Sequence, residues 1–223
     1  MSKDIIIFGG GETALLAYEY FTHDSDYHVV AFSMDREYME QSELMGLPIV
    51  AIDEVTQRFP CSEYHAFVAA SSTKLNRVRR QLFEKARDMG YTLVSYISSK
   101  AFVWPNASIG ENCFILEDNT IQPFTQIGNN VVMWSGNHLG HRSVIGDHCF
   151  ISSHCVISGF CDIGDSSFLG VNCTLEDNVK IGKDNFLGAG SLIRKATPDK
   201  AFYQEEPTEL SKVETHKLLR IKE

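Results

Sequence analysis

The stretch CVISGF CDIGDS SFLGVN CTLEDN VKIGKD, residues 155–184, divides into hexads whose third member is always isoleucine or leucine. The pattern runs outward in both directions. From Val103 to Ile193 every sixth residue is aliphatic or Met, sixteen times without a break, and eight of the sixteen are followed directly by Gly. A fixed period of six is the signature of a parallel β-helix. Each hexad supplies one short strand and one corner, and three hexads close a triangular coil. Each strand then pairs with the strand 18 residues later. At roughly 4.8 Å per rung, a little over five coils predict a prism about 25 Å tall.

Alternation along each short strand points positions one and three inward and position two outward. The first position holds small residues, among them Cys113, Cys149, Cys155, Cys161 and Cys173. Cys in this register reads as a small buried hydrophobe, not as a metal ligand or half of a disulfide. Only Cys61 lies outside the repeat.

Second-position residues sort onto three faces. Ser108, Gln126, Val144, Asp162 and Lys180 form a solvated one; Phe102, Thr120, His138, Val156, Thr174 and Leu192 form a mixed one. The third carries Phe114, Val132, Phe150, Phe168 and Phe186. An outward apolar stripe of that height predicts an interface. Self-association into a homotrimer is expected there, with cover by the N-terminal domain or the tail as the alternative, because unlike faces packed against each other close a three-fold ring.

Residues 1–97 follow another grammar. Strands are predicted at Asp4–Phe8, Tyr27–Phe32, Leu47–Ala51, His65–Ala70 and Leu93–Tyr96. Helices are predicted at Thr13–Phe21, Asp53–Phe59 and Lys74–Met89. Strands alternating with helices imply a parallel α/β sheet, here a small Rossmann-like domain. Gly9-x-Gly11-x-x-Ala14 sits between the first strand and helix, with Asp35 past the second strand, as in a dinucleotide-binding fingerprint. Read alone it suggests NAD, yet about 95 residues make only half of a full dinucleotide fold and no hydride-transfer domain follows. The solenoid is expected over 98–196 and a tail over 197–223. There Leu210, Val213, Lys217, Leu218 and Ile221 predict an amphipathic helix, starting near Ser211, that caps the open end of the solenoid.

The chain has 223 residues, a hydrophobic fraction of 43% and a net charge of −9. No cluster of Lys and Arg suits a phosphate backbone, so nucleic acid is not an expected partner. No apolar stretch approaches a membrane span and the Met-Ser-Lys-Asp start is no signal peptide, which makes a cytoplasmic protein the expectation.

The hexads resemble the left-handed β-helix of the hexapeptide-repeat acyltransferases. A Rossmann-like domain followed by this solenoid resembles the subgroup of bacterial nucleotide-amino-sugar N-acetyltransferases and sialic-acid O-acetyltransferases. The resemblance implies acetyl-CoA as co-substrate and no metal. It implies that His141, in Gly140-His141-Arg142-Ser143, is the general base at a boundary between subunits. Imidazole suits that task because its ordinary pKa lies in the working range. Local geometry agrees, since Gly159 one coil later is expected to leave open space beside the ring. The subgroup's acidic residue after the base is replaced by Arg142, so Glu117, Asp118 or a backbone carbonyl would orient the imidazole. His138 is expected at the acceptor pocket or the subunit interface, joined by Asn137 and Trp134, and His148 and His154 are read as solvated corners.

By the same resemblance coenzyme A would lie along Gly159, Gly170, Val171, Gly188 and Ala189, with Lys195 near its phosphates. The amide of Gly159 is a candidate for the oxyanion. Glu205-Glu206-Pro207-Thr208-Glu209 replaces the family's usual Gly-x-Pro-Ala-Lys segment. The N-terminal domain would hold the nucleotide-linked sugar through Gly9, Gly10, Gly11, Thr13, Asp35 and Ser71. Histidine in the related zinc-binding solenoids follows a spacing that His138, His141, His148 and His154 do not reproduce. The expected activity is N-acetylation of a nucleotide-linked amino sugar. O-acetylation of a sialic-acid-like sugar and a non-catalytic binding solenoid are the alternatives.

Overall fold

A computed structural model describes residues 3–206, 210–213 and 215–221. The N-terminal domain is built from β1 (Asp4–Phe8), α1 (Glu12–His23), β2 (His28–Met34), β3 (Glu43–Leu44), β4 (Leu47–Ala51), α2 (Val55–Arg58), β5 (His65–Val68) and α3 (Arg77–Asp88). The sheet order is β3-β4-β2-β1-β5, parallel except for the β3/β4 hairpin. Strand order therefore reverses between β1 and its two neighbours, and the carboxyl ends of β1, β2 and β5 open on one crevice, where α/β sheets bind ligands. Ile5 and Ile7 pack on the α1 side and Ile6 and Phe8 on the α3 side, so β1 is apolar on both faces. A continuous apolar run is what a parallel strand covered on both sides requires. Leu93 makes only an isolated parallel bridge to Ala66, and Tyr96–Ile97 already pairs with Phe114–Ile115 as a rung of the solenoid.

The solenoid's two-residue strands stack in parallel at a register of 18, as in Thr120↔His138↔Val156. They form sheets of 6, 5 and 7 strands. The third-position residues Ile121, Met133, Leu139 and Ile145 make the prism core. First positions also point inward, and the polar ones among them are satisfied within the coil stack. Cys149, Cys155 and Cys173 donate to carbonyls of Gly164, Gly170 and Gly188, each 15 residues on, and Ser143 and Ser167 do the same with their hydroxyls. Cysteine here is a small donor that serine can replace. Asn137 donates to Asn119 Oδ1 at 3.0 Å and accepts from Cys155 N at 2.7 Å, so it belongs to an interior ladder and not to an acceptor pocket.

The corners use a device invisible in composition. Asn112, Asp118, Phe124, Asn130, Arg142, His148 and their non-glycine counterparts up to Asp184 have φ between 53° and 64°, and Gly136 and Gly190 hold the same corner at 78° and 79°. The glycine after the aliphatic residue serves a different need, close approach between coils. A Cβ on Gly128 would stand 2.9 Å from Asp147 N and from Gly146 C.

The lower part of the apolar stripe is covered by the molecule's own N-terminal domain, while Phe186 at its upper end is exposed. Phe114 and Val132 are buried in one cluster with Ile5, Phe21 and Phe67, and Phe150 packs on its edge. Ring contacts tie Phe114 to Tyr20, Phe67 and Tyr96 at 5.7, 5.4 and 5.5 Å. Phe168 and Phe186 continue the column as a stack, and Phe202, in a strand that extends the same sheet, joins it. The expected trimer contact on Phe114 and Phe150 is thereby overturned, because a domain joined to the solenoid by one peptide reaches that face first. The two domains also share polar contacts. Asn112 exchanges hydrogen bonds with the backbone of Val68, and Asp24 at the end of α1 accepts from Tyr96 Oη at 2.6 Å and Ser99 N at 2.9 Å.

The tail extends the prism through Phe202–Tyr203, paired with Phe186–Leu187, and not through the expected amphipathic helix. Among the described residues of the tail only Thr215–Leu218 is helical, and Leu210, Leu218 and Leu219 are exposed. Of the segment replacing Gly-x-Pro-Ala-Lys, residues 207–209 lie outside the described residues.

Candidate functional site

Two sets of groups stand apart on the molecule. The first is the crevice of the N-terminal domain, a cleft of about 820 Å³ that brings together Gly9, Gly10, Gly11, Thr13, Asp35 and Ser71. Gly9 has φ 140° and an added Cβ would meet Ala69 O at 2.3 Å, so the loop needs glycine on both counts. Gly11 precedes α1 with no side-chain cap, which leaves the first helix amides directed at the cleft. Asp35 is not a lone carboxylate. Lys85 from α3 reaches across the mouth to its Oδ1 at 2.9 Å, a pair that sequence reading missed because 50 residues separate the two.

The second set lies on the prism edge between the mixed face and the solvated face. His141 is exposed at this edge, and its backbone N–H donates to Gln122 Oε1 at 2.9 Å. Its ring lies directly over Gly159, so the space expected beside the ring is filled by the ring itself. A Cβ on Gly159 would stand 2.7 Å from His141 Cε1. Phe160 meets the imidazole edge-on with centroids 4.9 Å apart. Arg142 turns its guanidinium onto Phe124, 4.7 Å from the ring centroid. This cation–π contact occupies the charge that replaces the family's acid. Phe160 was legible in principle, being 19 residues after His141 and so next to it one coil on.

Several expectations about this edge change. Glu117 accepts from Tyr20 Oη at 2.9 Å and Ser135 Oγ at 2.8 Å on a different prism edge, so within one chain neither it nor Asp118 orients His141. The Gly159 amide donates to Asp177 Oδ1 at 2.8 Å and is not free for an oxyanion. His148 is not solvated: it is buried at the domain junction, accepts or donates at 2.9 Å with Asn130, and burial holds its pKa below the ordinary range. Trp134 packs toward the N-terminal core instead of lining a pocket with His138.

The residues expected along coenzyme A fall on two edges that flank the His138 sheet. Gly159 and Lys195 share the column of His141, while Gly170, Val171, Gly188 and Ala189 belong to the edge of Glu117 and Ser135. Gly170 is explained by coil packing alone, since a Cβ would meet Ala189 N at 2.6 Å. Between the two edges the His138 sheet exposes Phe102, Val156 and Leu192. Phe186 and Phe202 at the upper end of the phenylalanine sheet are exposed as well.

The largest feature of the layout is this separation. The N-terminal domain packs on the phenylalanine sheet, and His141 occupies the opposite edge, where the other two sheets meet. Six residues per side make each prism wall at most ~20 Å long. In one chain the domain that holds the cleft thus lies on the opposite side of the prism from the histidine.

Among the described residues no helix is long and apolar enough to cross a membrane, and no group of three or more His, Cys, Asp or Glu could hold a metal ion. The bacterial transferase hexapeptide (six repeats) family matches residues 106–141, 124–159 and 160–195. No curated protein matches the chain. Perosamine N-acetyltransferase from Caulobacter crescentus, solved with CoA and GDP-perosamine, is 27% identical, with a TM-score of 0.80 over 89% of this chain and 92% of that one. A histidine-to-asparagine mutant of that enzyme with the same two ligands is 26% identical at a TM-score of 0.80, over the same shares of both chains. The acetyltransferase domain of PglB from Neisseria gonorrhoeae is 23% identical at a TM-score of 0.80, over 90% and 96%. It is similar in fold.

Proposed function

We propose that this chain, whose residues 106–195 match the bacterial transferase hexapeptide family, is an acetyl-CoA-dependent N-acetyltransferase of a nucleotide-linked amino sugar. The observation that carries the reading is the likeness, over about nine-tenths of both chains, to an enzyme holding CoA and GDP-perosamine. The glycine-loop cleft would take the nucleotide, and His141 would act on the sugar amine. Imidazole accepts the amine's proton as the N–C bond forms to the thioester carbonyl. The tetrahedral intermediate then collapses, the C–S bond breaks, and the thiolate takes the proton back from the imidazolium to leave as coenzyme A.

Cleft and histidine on opposite sides of one prism make a second copy part of the site. A sugar held in one chain's cleft meets the His141 of a neighbour. The exposed Phe102, Val156 and Leu192 beside that edge supply the apolar contact. A heterologous contact of this kind closes as a ring, and the homotrimer is the proposed assembly. Coenzyme A would then touch the Gly159 and Lys195 edge of one copy and the Val171 and Ala189 edge of the next.

The test is free-thiol release from acetyl-CoA with a panel of nucleotide amino sugars and, in parallel, free sialic-acid-like sugars. Turnover confined to the nucleotide amines is expected. Acetylation of hydroxyls alone would replace the reading with O-transfer, and no thiol release with any acceptor would remove it.

A further inference from the structure

The loop from β5 to α3 has a backbone that the α/β domain by itself does not require. Lys74, Leu75 and Asn76 follow one another at φ 52°, 51° and 64°. Residues with a Cβ enter the left-handed region singly, because Cβ crowds the next carbonyl. Three in succession persist only where the surroundings over-determine them. Here the surroundings are the solenoid. Asn76 is fully buried, and its amide donates to Ser166 O and Ser167 O, each at 3.3 Å. Its oxygen accepts from Arg79 Nη1 at 3.3 Å. Arg79 is itself buried and spends its remaining donors on backbone carbonyls: Ser71 at 3.2 Å in the same loop, His148 at 2.9 Å and Cys149 at 3.0 Å in the solenoid, and Asn130 at 3.4 Å. No carboxylate balances this cation among the described residues. Its fork of donors serves as a rivet between the rim of the cleft and two successive coils, and Asn76 adds a third.

The braced loop holds Lys74 at the cleft. The cleft has two lysines, and Lys85 is already given to Asp35, whereas Lys74 forms no ion pair among the described residues. Across from it the α1 N-terminus is uncapped. Ser33, also lining the cleft, is fully buried and its hydroxyl has no hydrogen-bond partner among the described residues. An unpaired ammonium, free helix amides and an orphaned hydroxyl around one space complement a doubly charged phosphate group.

We propose that Lys74 binds the diphosphate of the nucleotide-linked acceptor, and that Asn76 and Arg79 are positioning residues that hold it there from the solenoid. This rests on the acceptor reading of the cleft. The test is calorimetry on the full chain with GDP and UDP, and with guanosine and uridine as uncharged probes. Lys74→Gln, an exposed change, is expected to weaken the diphosphates about tenfold or more, as for a lost charge-assisted hydrogen bond, to flatten their salt dependence, and to leave the nucleosides unaffected. Asn76→Gly keeps a residue that accepts positive φ but removes the brace, and should give a smaller loss in the same direction although Lys74 is present. Wild-type diphosphate affinity in Lys74→Gln, or equal losses for diphosphates and nucleosides, would overturn the role of Lys74. Unchanged diphosphate affinity in Asn76→Gly would overturn the positioning role. Failure of the wild type to bind any nucleoside diphosphate would instead count against the acceptor reading.

Discussion

Replacing Gly159 by alanine tests the reading of His141 at the level of a single methyl group. Gly159 does not have a positive φ, and other chain positions equivalent to it carry Asn129, Asp147 and Asp177, so the backbone accepts a side chain there. The new Cβ would lie 2.7 Å from His141 Cε1 and 3.0 Å from Nδ1. Carbon atoms rest at roughly 3.5–4.0 Å, so the imidazole has to move by about 1 Å. Rotation off its present rotamer costs about 0.5–1.5 kcal/mol at most, and the fold should survive with its melting temperature nearly unchanged. Chemistry is less forgiving, because a displacement of about 1 Å at a reacting group costs on the order of 10²-fold. We therefore expect Gly159→Ala to lower kcat by roughly 10- to 100-fold, approaching the 10²- to 10⁴-fold loss expected of His141→Asn. Thiol release at saturating acceptor measures the rate, and a thermal melt checks the fold. Gly136→Ala is the control: it would drive a Cβ to 2.5 Å from the ring of His154, at a position with φ 78°, and should reduce stability without touching turnover. A Gly159→Ala protein that turns over at the wild-type rate would refute the placement of His141 as the base.

Asp35→Ala should raise the acceptor KM and leave the acetyl-CoA KM unchanged, since Asp35 and Lys85 stand at the mouth of the nucleotide cleft; calorimetry in which NADH binds and nucleoside diphosphates do not would contradict this. Phe114→Ala should cost about 3–5 kcal/mol of unfolding free energy by chemical denaturation, because a buried aromatic ring is removed from the junction of the domains. Val156→Asp, on the exposed His138 sheet, should instead leave the fold intact and convert the assembly to monomers by light scattering. Hydrogen bonds from Ser99 and Tyr96 pull the Asp24 carboxyl down to about 2. Its folded pKa lies below its unfolded one, so its contribution is complete above about pH 4 and lost as pH falls toward 2. Asp24→Asn should remove on the order of 1 kcal/mol at neutral pH after solvent screening and flatten that part of the acid limb in pH-dependent denaturation.

Local rules were enough wherever a residue's partner lay one strand or one coil away. A period of six fixes which side chains enter the prism, because a strand rises a constant distance per residue and alternates its faces. Cys149, Cys155 and Cys173 were legible as interior filler for that reason. So was the chain of strand, glycine turn and helix from Asp4 to His23. The outcome differed where two elements compete for one surface. The stripe from Phe114 to Phe186 announces an interface, but nothing in the period says whether the linked domain or another copy covers it. Proximity along the chain decided in favour of the domain at Phe114 and Val132, and Phe186 stays exposed.

The charged groups were the least legible. Arg79 in the sequence RVRRQLFEKARD looks like one of several surface cations on an amphipathic helix, and only the docking of α3 on the solenoid makes it a buried rivet. The Asp35–Lys85 pair, the stacking of Arg142 on Phe124 and the burial of His148 arise the same way, from contacts across 18 to 69 residues of sequence. The sequence by itself determined the solenoid, its register and the order of the domains, since each follows from a period or a local motif, and the candidacy of His141 came from the family resemblance. Only the tertiary structure decided that the nucleotide cleft and His141 lie on opposite sides of one prism. That separation depends on which of three similar faces the N-terminal domain buries, and burial of the most apolar face is settled by packing, not by spacing.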